Sequence, residues 1–238
     1  MQILKIPSFK LAMYMQGNPN ADKLALVLPG RFDTKDDPHM RSHVEYLASK
    51  GFLALSFDPP GTWESPGGIE LYTMTNYLKA INELIIQFGS RPTILMGHSR
   101  GGSMAMLAGT RNDHVIHIIT VMSRPTPSKM NEKAKKSGVE IFIRDAPSGG
   151  EKRFELPSSY FEDASQYNML DALSKCTKPK LYILGKKDED ITPESVRDTY
   201  DKSADPKQLY EVDSDHDYRF HPKIIDEINK IVGEFLDR

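Results

Sequence analysis

The chain has almost no cysteine or tryptophan, with one of each in 238 residues. A single cysteine, Cys176, excludes an internal disulfide framework and a multi-cysteine zinc site. No charge of one sign dominates: 31 basic residues stand against 33 acidic ones, a net charge of -2. That balance excludes the broad cationic footprint of a nucleic-acid binder. No apolar run approaches the roughly 20 residues needed to span a bilayer, so no membrane span is expected. The opening Met1-Gln2-Ile3-Leu4-Lys5-Ile6-Pro7 lacks a basic segment followed by an apolar stretch, which leads us to expect a cytoplasmic protein. Repeats, low-complexity tracts and linkers are also missing, so residues 1–238 are expected to form a single domain.

What is present is a rhythm. Short apolar runs at residues 24–28, 52–57, 93–96, 115–122 and 180–184 are bounded by Gly, Pro or Asp and read as strands buried on both faces, the mark of a parallel sheet. Stretches at 39–50, 72–88 and 224–236 place their apolar residues at helical spacing, the first two followed by glycine. The alternation predicts an α/β fold, a mostly parallel doubly wound sheet with right-handed crossovers. Residues 1–6 and 9–16 are expected to add an antiparallel pair at one edge. Residues 124–178 break the rhythm with a basic helical piece ending at Gly138, a hairpin turning at Pro147-Ser148-Gly149-Gly150, and two short helices around 158–165 and 168–174. They read as a short insertion, a candidate cap, before the next sheet strand.

Gly97-His98-Ser99-Arg100-Gly101-Gly102 follows an apolar strand and opens a stretch rich in Ala, Met and Leu. A serine on a strained strand-to-helix turn needs small residues two positions either side, and Gly97 and Gly101 supply them. The helix beginning after Ser99 aims its amide dipoles at the site. A serine nucleophile needs a base, and the base an orienting acid, here in the order Ser, Asp, His. Asp188 lies just past the strand 180–184 and is the first candidate, with Asp190 as its alternative. His216 follows the strand candidate 208–212 and is the base. An oxyanion hole needs two N–H donors, and the backbone amides of Arg100 and Arg31 are the candidates.

The remaining histidines offer less. His39 and His43 share a helical face, but Met40 stands where a zinc-protease glutamate would be. His98 is expected to pack beneath the turn, and Cys176 shows no activating base. No metal or organic cofactor is expected.

These motifs resemble the α/β-hydrolase superfamily over nearly the whole chain, and more closely the small bacterial feruloyl/cinnamoyl-type esterases and their serine-aminopeptidase-like relatives. Pro29-Gly30-Arg31-Phe32 resembles their His-Gly-Phe loop, and Phe57-Asp58-Pro59-Pro60-Gly61-Thr62-Trp63-Glu64-Ser65 their Phe-Asp-x-x-Gly-x-Gly-x-Ser segment. Gly97 to Gly102 resembles the nucleophile elbow, Gly185-x-x-Asp188 the acid turn, and Asp215-His216 the histidine loop. The resemblance implies an α/β-hydrolase fold, a catalytic triad of Ser99, Asp188 and His216, and a first-loop donor at Arg31. Pro29, Arg31 and Thr62-Trp63 depart from the family pattern, as does the basic insertion.

The expected activity is hydrolysis of a small-molecule carboxylic ester through an acyl-enzyme on Ser99. A peptidase or amidase using the same triad, and a non-catalytic binding protein on the same fold, are the alternatives. Arg124, Arg144 and Arg153 in the insertion would favour acidic substrates if they reach the site; a solvated basic face is the plainer reading.

Overall fold

A computed structural model describes residues 2–126 and 129–237 of the chain. In order along the chain the strands and helices are β1 (Gln2–Lys5), β2 (Lys10–Gln16), β3 (Leu24–Leu28), α1 (Pro38–Ser49), β4 (Leu53–Phe57), α2 (Met74–Gln87), β5 (Thr93–His98), α3 (Arg100–Gly109) and β6 (Val115–Val121). After them come α4 (Glu132–Ser137), β7 (Val139–Asp145), β8 (Glu151–Pro157), α5 (Ser158–Ser165), α6 (Leu170–Leu173), β9 (Lys180–Gly185), α7 (Pro193–Lys202), β10 (Lys207–Val212) and α8 (Pro222–Leu236).

Eight strands form one sheet in the order β1-β2-β4-β3-β5-β6-β9-β10. All neighbours from β4 to β10 pair in parallel, whereas β1–β2 and β2–β4 are antiparallel. The expected antiparallel edge pair is therefore present over its described residues, Met1 lying outside them. Every residue of β3, β4, β5 and β9 is buried, as unbroken Leu, Val and Ile runs require when helices cover both faces. One face packs α1 and α8 through Met40, Val44, Leu47, Ile228 and Val232. The other packs α2, α3 and α7 through Ile81, Leu84, Met104, Leu107 and Val196.

Local chemistry sets the helix ends. The hydroxyl of Thr73 caps α2 by accepting the Asn76 N–H at 3.0 Å, and prolines begin α1, α7 and α8. Helix α7 is absent from the sequence reading because its apolar face is thin: only Val196 and Thr199 are buried. The signal that would have found it is Thr192-Pro193-Glu194, a cap followed by proline and an acid in the first turn.

Between β6 and β9 the chain runs through α4, the β7–β8 hairpin, α5 and α6. Gly138 ends α4 in the left-handed conformation, φ 73°, as the sequence predicts for a glycine cap. The hairpin register pairs Phe142 with Phe154, and Arg144 with Lys152. Successive side chains alternate between faces, so these four share one face. That face turns inward: Phe154 stacks on Phe32 with ring centroids 4.2 Å apart, and Phe142 lies 5.3 Å from it. Ile141 and Ile143 share the other face with Arg153 and are more than half exposed. No helix among the described residues is long and apolar enough to cross a membrane.

Candidate active site

Ser99 is the hinge between β5 and α3, held at φ 50° and ψ -116°. A non-glycine residue in that conformation costs on the order of 1–3 kcal/mol and persists only where its surroundings over-determine it. Here they do. The Ser99 N–H donates to the Val121 carbonyl at 3.0 Å, and the Ser99 carbonyl accepts the Ser123 hydroxyl at 2.6 Å and the Ser103 N–H at 3.2 Å. Two of the surrounding glycines have a steric cause. A Cβ on Gly97 would lie 2.2 Å from the Gly101 carbonyl carbon, and one on Gly101 would lie 1.9 Å from the Leu28 carbonyl oxygen.

Asp188 leaves the end of β9 and His216 the loop after β10, so both side chains come to the same sheet edge as Ser99. The Nδ1 atom of His216 lies 2.8 Å from Asp188 Oδ2, and its Nε2 lies 2.9 Å from Ser99 Oγ. A carboxylate only accepts, so Nδ1 carries the proton and Nε2 faces the serine hydroxyl as the acceptor. The other oxygen of Asp188 accepts the Asp190 and Ile191 N–H groups at 2.9 and 2.8 Å, which immobilises a side chain wholly cut off from solvent. Asp190, the alternative acid, is exposed and contributes only its backbone N–H to this cluster and its charge to His216. Burial presses the pKa of His216 down, but the hydrogen bond to Asp188 and the charges of Asp188, Asp190 and Asp33 outweigh it. The net shift is upward from 6.5.

Arg31, on the loop after β3, and Arg100, the first residue of α3, line the same cavity as Ser99 and His216, a space of about 270 Å³. Among the described residues neither backbone amide donates a hydrogen bond within the chain. The first loop is braced from two sides: Arg144 Nη2 donates to the Arg31 carbonyl at 3.1 Å, and Trp63 Nε1 donates to the Phe32 carbonyl at 3.1 Å. Phe32 itself sits at φ 62°. The departures at Arg31 and Trp63 thus belong to one structural unit with the hairpin. Asp58 completes it by accepting the Thr34 hydroxyl at 2.7 Å and the Lys35 and Glu64 N–H groups at 3.0 and 3.1 Å.

Sequence reasoning missed a second layer behind His216. His98 is buried beneath the turn, as expected, but it is not idle. Its Nδ1 lies 2.9 Å from Asp33 Oδ2 and its Nε2 lies 3.0 Å from the carbonyl oxygen of His216. Both partners are acceptors, and burial pushes His98 down to about 4, so a neutral ring makes one of these bonds at a time. Asp33 also accepts the Gly30 N–H at 3.1 Å and faces Arg219 Nη1 at 3.3 Å. Burial pushes its carboxyl up, but the neighbouring His39 and His98 outweigh that and hold it well below the usual carboxylate range. The network ties the first loop, the elbow and the histidine loop together. The available signal was three polar side chains, Asp33, His98 and Arg219, each within three residues of a motif.

One trio among the described residues, Asp33, His39 and His98, brings potential metal-ligand atoms within 4.8 Å of one another. Asp33 is already engaged by Arg219, Gly30 and His98, so the set fits a hydrogen-bonded brace better than a dication. Arg124 and Arg144 line the cavity; Arg153 does not, and pairs with Glu155 at 2.9 Å on the exposed side of the hairpin. The alternation of β8 is the reason, since Arg153 shares the face of Ile143 rather than that of Phe154. Cys176 does not line the cavity either.

Comparison with known proteins matches residues 25–147 to the sequence model of a family described as alpha/beta hydrolase fold. The chain is similar to the mitochondrial palmitoyl-protein thioesterase ABHD10 of Rattus norvegicus, with 22% identity over 195 residues. The match covers 78% of this chain and 64% of that relative, so the chain spans just under two thirds of its length. Among solved structures, Est1E from Butyrivibrio proteoclasticus with bound ferulic acid superposes with a TM-score of 0.77 at 21% identity, covering 100% of both chains. Alpha/beta hydrolase domain-containing protein 10 from mouse gives 0.78 at 20% identity, covering 99% of this chain and 98% of that one.

Proposed function

Because this chain belongs to the alpha/beta hydrolase fold family, we propose that it is a serine hydrolase acting on carboxylic esters or thioesters through an acyl-enzyme on Ser99. The observation that carries this reading is the unbroken line of contacts from Asp188 through His216 to the Ser99 hydroxyl, at 2.8 and 2.9 Å. Ser99 attacks the carbonyl while His216 takes its proton and later returns it to the leaving group. Asp188 holds the ring tautomer and stabilises the imidazolium. The amides of Arg31 and Arg100 receive the oxyanion, and water then releases the acyl group. The reading treats residues 1–238 as one domain with 124–178 inserted into it as a cap. Its cysteine-poor composition suits a reducing compartment such as the cytoplasm.

A fluorophosphonate probe tests it. The adduct is expected on the peptide containing Ser99, and mass spectrometry locates it. An adduct elsewhere, or none on folded protein, removes Ser99 as the nucleophile. A panel of nitrophenyl esters, acyl thioesters and aminoacyl amides fixes the reaction class; faster turnover of the amides overturns the ester reading.

The pH profile supplies a second check. His216 works as a base only when deprotonated, so kcat/KM rises with pH, and its midpoint is expected above the ordinary 6.5. Asp190→Asn removes one of the charges that raise the pKa, so its midpoint is expected below that of the wild type. An unchanged or higher midpoint in that variant contradicts the electrostatic account.

A further inference from the structure

The cavity at Ser99 is unusual for a site that accepts a neutral ester, because its walls are cationic. Ligand pockets are mostly apolar with a few placed polar groups. This one is lined by Arg31, Arg100, Arg124, Arg144 and Lys129. Four carboxylates also line it, and three of them are engaged elsewhere. Asp33 faces His98 and Arg219, Asp217 lies 3.6 Å from Arg219, and Glu140 accepts the Asn131 N–H at 3.1 Å. The fourth, Asp190, is exposed.

The arginines are the informative part. Elsewhere in the molecule Arg91 donates to the Pro19 and Ala21 carbonyls and Arg111 lies over the Tyr167 ring, while Arg41, Arg153, Arg197 and Arg219 each lie within 4.0 Å of a carboxylate. Among the described residues Arg31, Arg100 and Arg144 have no such partner. Arg31 lies over the Phe142 ring at 4.5 Å, and Arg144 donates to the Arg31 carbonyl. Arg100 is only 6% exposed; its guanidinium lies 5.5 Å from the Tyr160 ring centre and its Nη1 is 3.1 Å from Met74 Sδ. Burying a cation without a counter-charge is unfavourable, and neither a thioether nor an aromatic face offsets it as a carboxylate would. The like charges of Arg100 and Arg31 also bear on Arg124, which burial and their repulsion hold below its ordinary value.

Resting on the serine-hydrolase reading above, we propose that the substrate of this site carries an anionic group, a carboxylate or a phosphate, that enters the cavity and is held by the guanidinium groups of Arg31, Arg100 and Arg144. The ligand supplies a counter-charge to guanidinium groups that have no carboxylate within 4.0 Å among the described residues, and a planar guanidinium can take a carboxylate or phosphate with two parallel hydrogen bonds. The hairpin register, which turns Arg144 inward and Arg153 outward, then sets specificity.

The test compares two methylumbelliferyl esters of equal chain length, the hemiadipate and the hexanoate. At low ionic strength kcat/KM for the hemiadipate is expected to be at least about tenfold higher, and the preference to shrink as salt is added. The ratio cancels losses common to both esters. Arg31→Gln, Arg100→Gln and Arg144→Gln are each expected to lower it severalfold, whereas Arg153→Gln leaves it and the basal rate unchanged. Adipate and inorganic phosphate, tried as competitive inhibitors of hexanoate hydrolysis, separate the two anions. A hemiadipate preference with adipate inhibition assigns a carboxylate; phosphate inhibition that weakens in Arg100→Gln assigns a phosphate. Equal turnover of both esters without inhibition by either anion, in protein that still labels with the fluorophosphonate, overturns the proposal alone. Loss of labelling on Ser99 overturns the hydrolase reading beneath it as well.

Discussion

Replacing Ser99 by alanine is expected to lower kcat/KM for the preferred ester by about 10⁴-fold or more, with the far-ultraviolet circular dichroism unchanged. His216→Ala is expected to cost about as much. The double variant should be no worse than either single one, because a hydroxyl without its base and a base without its hydroxyl are equally unable to form the acyl-enzyme. The proposed oxyanion donors, being backbone amides, are untouched by all three changes, so residual turnover above that in water is expected. Steady-state kinetics on the three variants decide the matter. If the two single losses multiply in the double variant, Ser99 and His216 act independently and the 2.9 Å contact between them is not a working one.

The second large effect concerns the scaffold that makes that contact possible. A Cβ added at Gly101 would meet the Leu28 carbonyl oxygen at 1.9 Å and the Pro29 carbonyl oxygen at 2.7 Å. Both are backbone atoms at the end of β3, with no flexible side chain to give way. Either α3 lifts from the sheet or the first loop is displaced, and overpacking of this kind costs about 3 kcal/mol. For a chain of this size that corresponds to a fall of roughly 6–12 °C in Tm. Gly101→Ala is therefore expected to melt well below the wild type by calorimetry and to label more slowly with fluorophosphonate, because the same shift moves the amides of Arg31 and Arg100. Gly150→Ala is the control: φ is 82° there, but nothing lies within 4 Å of its Cβ. Its cost is expected to stay near about 1 kcal/mol with labelling unaffected. Equal destabilisation in both variants would refute the steric account of the elbow.

Much of this architecture is legible before any coordinates. Strands β3, β4, β5 and β9 appear in the sequence at nearly their observed bounds, because a parallel strand covered on both faces must be mostly apolar. Ser99 and Asp188 can be picked out because each sits just beyond such a run, where the sheet ends and a loop begins, and His216 because it follows the next strand candidate after the acid. Helix α7 escaped because an exposed helix with few buried residues leaves almost no periodic signal. The brace of Asp33, His98 and Arg219 escaped for another reason. Hydrogen bonds between residues 65 and 186 positions apart have no local pattern to announce them.

Chain order alone determined the parallel sheet, the strained serine between its glycines, and the candidate acid and base that follow it, since burial and backbone sterics act over a few neighbouring residues. Tertiary structure decided which of the cations line the cavity at that serine. Arg144 and Arg153 look alike in the insertion, and only the pairing of β7 with β8 turns one toward the cavity and the other to solvent. The physical reason is that a strand's two faces are equivalent until a partner sets its register and a core claims one of them, and both of those events join residues that the linear chain keeps apart.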